Sequence, residues 1–476
     1  MNKDVKRLVF GVCIAFVLFS AFVGVSVASA KTIYVPDDYA KIQWAVDNAS
    51  AGDTIIVSDG TYTENVDVNR RLTIRSENGS ANCIVQAAIT DFPVFEVTAD
   101  YVNISGFTVT GTWHPAAEIC LDSVHYCNIS NNNASNNWKG IYLNHSNDNT
   151  IINNNVSNNK WGITLYYSTN NRVMNNNATN NWLTGIYLED SGNNTVTNNN
   201  LLNNHYGVTL DCSNNNIISN NIFTNDGFSV GYSYHNTVKD NIINGKPLIY
   251  LEDMSDFTIT DAGQVILVNC NNITVKNLNI FNTVTSIELW ETNNSKIINN
   301  NLSNNDWGIC LAYSYNNSIK SNNCSFSSRD GIVLVWSNDN IIADNFVMHN
   351  REGIYVEEIS KNNRIENNTV ILNRWDGIIV VEWSNNSFII NNTANSNERY
   401  GIVLGNAHHN LVLNNNANHN IEGGILVGST NNTVYLNNFI NNMDNVVSSY
   451  STNIWNSTEP ITYTYNGKQY TNYLGN

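Results

Sequence analysis

Apolar positions in this chain alternate with period two in runs of only three to five residues, too short for helices and separated by polar corners rich in asparagine. The runs recur. A phrase of the type Gly-Ile-x-Leu returns about every 22 residues, at Gly140, Gly162, Gly185, Gly207 and Gly227, then at Gly308, Gly331, Gly353, Gly377, Gly401 and Gly424. In the coil that opens at Gly140, Ile141 and Leu143 are expected to point inward from a first strand, Ile151 from a second and Val156 from a third. The pattern predicts an all-β, right-handed parallel β-helix with three short strands per coil. Roughly fifteen coils at about 4.8 Å each would make a rod on the order of 70 Å long.

The ends depart from the repeat. Residues 1–30 carry Lys3, Lys6 and Arg7, an apolar run from Leu8 to Val27, and Ala28-Ser29-Ala30, the form of an export signal; an uncleaved anchor is the alternative. No later segment is apolar enough to span a bilayer. Residues 31–112 are expected to form a cap and the first coils, with a short amphipathic helix after Asp38 that turns Ile42, Ala45, Val46 and Ala49 inward. Residues 113–445 form the repeat, and within it 228–286 lose the glycine phrase and read as degenerate coils with a protruding loop near Lys246-Pro247. Residues 446–476 form the far cap, a hairpin around Asn466-Gly467.

Asparagine supplies about a fifth of the residues, a proportion that in other chains signals disorder. Here Asn154, Asn176, Asn199, Asn368 and Asn415 keep register with the glycine phrase. They are read as corner residues that tolerate left-handed backbone and bond to the same residue one coil away.

The formal charge of −17 becomes −19 once Lys3, Asp4, Lys6 and Arg7 are removed. That argues against nucleic acid and suits a neutral polysaccharide, divalent cations or simple solubility. Seven cysteines remain after the signal, an odd number that argues against a disulfide framework; packed free thiols are expected. Asn-x-Ser/Thr acceptors occur at Asn103, Asn128, Asn155, Asn177, Asn301 and Asn391, among others. A monomer is expected.

Thr32-Ile-Tyr-Val-Pro-Asp-Asp-Tyr-Ala-Lys-Ile-Gln-Trp-Ala-Val, with Gly52-Asp-Thr-Ile-Ile-Val and Gly60-Thr-Tyr, resembles the amino-terminal cap of pectin-lyase-like β-helices. The repeats resemble carbohydrate-binding and sugar-hydrolase (CASH) coils. Asn244-Gly-Lys-Pro-Leu-Ile-Tyr-Leu and Asp261-Ala-Gly-Gln-Val-Ile-Leu-Val-Asn-Cys are similar to archaeal surface proteins of NosD-like type. The resemblance implies a cell-surface or envelope location, a polysaccharide or envelope component as partner, and copper as the family's metal. Relatives of this type often run beyond Tyr473-Leu-Gly-Asn, so a shortened chain stays open.

Copper needs converging His, Met or Cys, whereas the histidines scatter and only His408-His409 with His419 look concentrated. The acid and His series of galacturonan hydrolases and the arginine signature of lyases are absent, and so is the epimerase Tyr-Gly-x-Asp-Pro-His. One constellation rises above the asparagine background. Asp330, Glu352 and Asp376 precede the glycines of three consecutive coils, with Arg329, Arg351 and Arg374 just upstream. Trp336, Glu357, Glu358, Glu382 and Trp383 follow the same strands, and Trp375 and Tyr400 precede them. Aromatics that stack on sugar rings beside carboxylates that accept hydroxyls would form a carbohydrate groove, and Asp330, Glu352 and Asp376 would form a Ca²⁺ site. An ion-pair ladder relieving a polar corner uses the same residues. Three readings follow: a surface protein that is structural or binds carbohydrate without an active site, a polysaccharide-processing enzyme, and a copper-delivery accessory.

Overall fold

The computed structural model describes residues 29–449 and 451–476. The expected export segment lies outside them, apart from Ser29 and Ala30. The chain forms the expected right-handed parallel β-helix. Its second strands make a ten-stranded ladder from Thr32–Val35 to Thr237–Lys239 and a nine-stranded ladder from Thr258–Ile259 to Thr433–Tyr435. That is about 19 turns, more than the fifteen expected, because the caps contribute coils that lack the glycine phrase.

The inward residues stack as the alternation requires. Ile141, Leu143, Ile151 and Val156 are buried, and Ile141 lies between Ile119 and Ile163 on neighbouring rungs. Glycine recurs at the entry to each first strand because coils approach closely there. A Cβ on Gly162 would lie 2.5 Å from the Gly185 carbonyl oxygen, closer than real contacts allow.

The corners divide between two neighbouring asparagines the work expected of one. Asn153, Asn175 and Asn198 take the left-handed conformation, with φ of 57°, 55° and 56°. The next residues, Asn154, Asn176 and Asn199, are buried and form the ladder. The Asn154 amide donates to Asn176 Oδ1 at 2.8 Å, and Asn176 Nδ2 donates to the Ile151 carbonyl at 2.9 Å. A short polar side chain thus satisfies backbone groups that a strand-to-strand bend leaves unpaired.

The helix Ile42–Asn48 closes the first coil by burying Ile42, Ala45 and Val46. The Glu64 carboxylate accepts the Ile42 and Gln43 amides at 3.0 and 3.1 Å, which holds the first turn of the helix. At the far end Ile461–Tyr465 and Lys468–Asn472 pair as the expected hairpin, with Asn466 and Gly467 both at positive φ. Most of the hairpin is exposed. The stack is closed instead by Trp455, packed on the core, and by Asn476, whose Oδ1 accepts both the amide and Nδ2 of Asn437 and so adds a last rung to the ladder.

The rod is not continuous. Ile242–Ile243 pairs antiparallel with the start of Lys246–Glu252, and a second stack begins there, on a separate core. All five residues of Gln264–Val268 are buried because the strand is shared: Val265 and Leu267 enter the second core, while Ile266 and Val268 enter the first. The outer face of the second stack therefore covers the open end of the first, where Phe228, Val230 and Ile243 would otherwise face water. Gln264 fastens the joint. Its Nε2 donates to the Phe228 and Thr285 carbonyls at 2.8 and 2.9 Å, and its Oε1 accepts the Phe228 amide at 3.0 Å. The segment read as degenerate coils is this elbow.

Candidate functional site

Asp330, Glu352 and Asp376 stack on consecutive coils at the entry side of the second stack's first strands, and all three are buried. Asp330 accepts from Arg351 Nη2 at 3.1 Å and from Trp307 Nε1 at 3.3 Å. Glu352 accepts the Asp376 amide at 2.9 Å. Asp376 accepts the Tyr400 amide at 2.8 Å and pairs with Arg399 at 3.3 Å. Burial raises all three above the ordinary carboxylate range, and the guanidiniums oppose the rise at Asp330 and Asp376. Glu352 is pushed up to about 7, mainly by burial and further by the charges of Asp376 and Asp330.

Arg374, expected beside these acids, instead donates to the Ser328 carbonyl at 2.7 Å. Its place is taken by Arg399, which the sequence reading missed. The signal was the distance to glycine: Arg329, Arg351 and Arg399 each stand two residues before one, whereas Arg374 stands three before. Trp375 occupies that two-before position in its own coil, with the Arg351 and Arg399 guanidiniums 5.2 and 5.9 Å from its ring.

Trp336, Glu357, Glu382 and Trp383 lie at the opposite ends of the same strands, so the expected set forms two margins. Ile332–Val335 is four residues long, a separation on the order of 13 Å. Trp336 stacks on Tyr313 with centroids 4.8 Å apart, and Trp383 is 54% exposed. Glu357 is raised by burial, with Glu358 and Glu382 adding repulsion against the Tyr355 hydroxyl. Between the margins run Val333, Tyr355, Ile379 and Val403, of which the three aliphatic residues are buried.

The first stack carries a different face, whose entry-side aromatics Trp161 and Tyr206 repeat upstream of the glycine phrase and whose centre row the sequence reading missed. Its outer centre row is Tyr142, Thr164, Tyr187, Thr209 and Ser229 on successive rungs. Lys139, Trp161, Thr184 and Tyr206 run along the entry side, and Asn144, Tyr166, Glu189 and Asp211 along the exit side. Large and small side chains alternate, which leaves two hollows. One, of about 260 Å³, has Thr164 among its lining residues and Tyr142 and Tyr187 at its ends. The other, of about 360 Å³, includes Thr209 and lies beyond Tyr187. The signal was present as the x of Gly-Ile-x-Leu, which alternates Tyr, Thr, Tyr and Thr from Gly140 to Gly207.

At the elbow the two faces meet. His205 Nε2 bonds Asp306, and Tyr232 packs edge-on against Trp290 at 4.9 Å. Glu288 is enclosed between the stacks at 9% exposure, and burial alone pushes its carboxyl up to about 8. The seven cysteines among the described residues are all unpaired.

Stacked coils with exposed aromatics and recurring hydroxyl and carboxylate rows define a parallel β-helix with long outer faces. The family model described as periplasmic copper-binding protein (NosD) matches residues 46–225, 184–269 and 268–476. The chain belongs to the NosD family. It is 37% identical over 111 residues to a cell surface glycoprotein of Methanothermus fervidus, a stretch covering 23% of this chain and 18% of that protein. Among solved structures it is similar to an alginate lyase from Paenibacillus sp. str. FPU-7, with 16% identity over 58% of this chain and 94% of that one and a TM-score of 0.33. The Dettilon tailspike protein gives 15% identity over 91% of this chain and 72% of that one, with a TM-score of 0.31. None of these likenesses transfers a chemistry.

The family description raises copper directly, and the donor set does not fit it. Among the described residues, the one grouping of three His, Cys, Asp or Glu ligand atoms within 4.8 Å is His235, Glu252 and Asp253. One imidazole beside two carboxylates is an oxygen-rich set, and copper favours imidazole, thiolate and thioether. Glu252 is also occupied, accepting the His235 and Asn236 amides and the Tyr250 hydroxyl. His408 Nδ1 faces Thr430 at 3.1 Å, and His419 Nε2 faces Asn441 at 3.2 Å, so the histidines that looked concentrated do not converge.

Proposed function

We propose that this chain is an extracytoplasmic surface β-helix that binds carbohydrate through the outer faces of its first-strand sheets. One observation carries the reading: tryptophans recur at the sheet margins and stay in water, Trp182 at 60% and Trp383 at 54% exposure. Large apolar rings repeated along the margins of a rigid scaffold offer surface to sugar rings, which present complementary C–H faces to them. No helix among the described residues is long and apolar enough to cross a membrane, a statement that says nothing of a β-barrel. The surface location is supported by the glycoprotein relative and by the family's periplasmic description.

The acidic margin of the second stack enters this reading as a secondary contact. Trp375 is flanked by guanidiniums, and Asp330 and Asp376 are already paired, so Glu352 is the acid left without an ion-pair partner. The test is a glycan array probed with the full chain, with and without Ca²⁺, followed by product analysis of every bound glycan. Binding without cleavage supports the reading; cleavage replaces it with an enzyme; a blank array rejects it. Replacing Glu352 and Asp376 together by alanine is expected to weaken binding if this margin touches sugar, and unchanged binding removes the margin from the site.

A further inference from the structure

We propose that the outer face of the first-strand sheet in the amino-terminal stack is a groove for a linear, uncharged oligosaccharide, seated with every second ring over a threonine-bearing hollow. The inference rests on the carbohydrate-binding reading above and adds the site, its period and the ligand's charge.

The period comes from the rungs. Tyr142, Thr164, Tyr187 and Thr209 occupy the same column on successive coils, so ring and hydroxyl alternate and the motif repeats every two coils, about 9.6 Å. The two hollows share Trp161 and Tyr187 in their walls and so form one trough along the stack. An extended glycan in which successive rings turn over presents the same ring face at every second residue, a repeat on the same scale. A compact ligand would use one hollow and leave the other unexplained; a repeating chain uses both.

The hollows are built to bond. Thr164 is 4% exposed, and its Oγ1 is buried without a hydrogen-bond partner. Thr209 Oγ1, in the second hollow, is also buried and unpartnered. Both oxygens are closed to solvent as they stand, and a χ1 rotation would bring either hydroxyl to a ring seated in its hollow, where it gains the partner it lacks. Trp161 and Tyr206 on the entry side and Tyr187 in the centre row supply aromatic surface to the walls.

Charge narrows the ligand. Asp122, Glu189 and Asp211 follow the exit lip, and Tyr187 already directs its hydroxyl at Asp211 Oδ2 at 3.4 Å. On the entry lip Lys139 holds its ammonium 3.8 Å from the centre of the Tyr142 ring. Carboxylates in that position accept sugar hydroxyls and repel uronates, so the groove takes neutral or N-acetylated rings. The trough ends at the elbow, where Tyr232 is packed against Trp290, which makes the amino-terminal side the open end.

The test is titration calorimetry on the full chain with cello- and chito-oligosaccharides of two to six rings, with trigalacturonate as the charged control. Affinity is expected to rise with length up to about four rings and then level, because two hollows two coils apart span that many. Tyr187→Ala should weaken chitohexaose or cellohexaose binding about tenfold. Thr164→Val, which keeps the shape and removes the hydroxyl, should weaken it about fivefold. Thr209→Tyr should fill the second hollow and abolish the gain beyond two rings. Tyr187 and Thr209 face outward and their variants should keep the parent's unfolding midpoint, whereas Thr164→Val, which removes an unpaired buried hydroxyl, should match or slightly exceed it. Hexaose binding indifferent to Tyr187→Ala and Thr209→Tyr would overturn the groove while leaving carbohydrate binding intact. Preference for trigalacturonate would overturn the ligand assignment, and failure of every oligosaccharide to bind would overturn the groove. A blank glycan array would reject the parent reading too.

Discussion

The two stacks are built on the same corner, the same kind of core and the same repeat, yet their outward faces have opposite characters. In the first stack the outer row reads Tyr142, Thr164, Tyr187, Thr209, and its hollows stay open. In the second it reads Cys310, Val333, Tyr355, Ile379, Val403, an aliphatic row with one ring and no threonine. Arg351, Trp375 and Arg399 interleave over that entry edge, with their charges met by buried acids. The same scaffold thus presents a hydroxyl-bearing trough or an aliphatic row according to one residue per coil. Interior positions cannot vary in this way, because each is fixed by the coil above and the coil below.

The largest test of the shared part is Ile354→Asp. It places an unpaired charge in a column where Ile332 and Ile378 are the adjacent rungs, and should cost about 4 kcal/mol or more in urea unfolding of the second stack. Normal stability would show the strand register to be wrong. Next come Asn176→Ala and Asn345→Ala, one in each stack. Each removes a side chain that donates to a backbone carbonyl at 2.9 Å and accepts the amide of the preceding ladder residue, so each should cost about 2 kcal/mol. Unequal costs would break the claim that the corners are equivalent.

The elbow should respond to pH. The Glu288 carboxyl rises from 4.5 to about 8 on burial, so the folded state holds a proton that the unfolded state has released across that interval. Its contribution is fully present below pH 4.5 and is lost as pH rises through about 8. The melting temperature should fall by a few degrees over that window, and Glu288→Gln should flatten the fall; an unchanged slope would place the titration elsewhere. The smallest effect is expected for Arg399→Ala, about 1 kcal/mol in the same unfolding assay, since Asp376 keeps the Tyr400 amide. No change at all would mean that the guanidinium row over Trp375 adds nothing to stability.

Much of this was legible because the period writes it repeatedly. The Gly-Ile-x-Leu phrase placed Ile141, Leu143, Ile151 and Val156 inside, and Asn466-Gly467 placed a turn, since inward direction and hairpin chirality are local properties. The elbow was hidden because Gln264–Val268 reads as one more apolar strand. Burial on both faces depends on a second stack that no local pattern reveals. The acid row was found from its spacing to glycine, but its partner Arg399 was missed by counting from the acids instead. The column of Thr164 and Thr209 escaped for a related reason: alternation tells which side chains face out, and whether an outward hydroxyl sits in a hollow depends on the coils above and below it.

The shared strand at Gln264–Val268 also sets an order of events during synthesis. The last coil of a β-helix stack leaves a raw strand edge until something covers it. For the first stack that exposure ends when Ile266 and Val268 close over Phe228 and Val230. A chain appearing amino-end first therefore contains everything needed to cover the first stack before most of the second has been made, and the joint acts as a punctuation mark between the two.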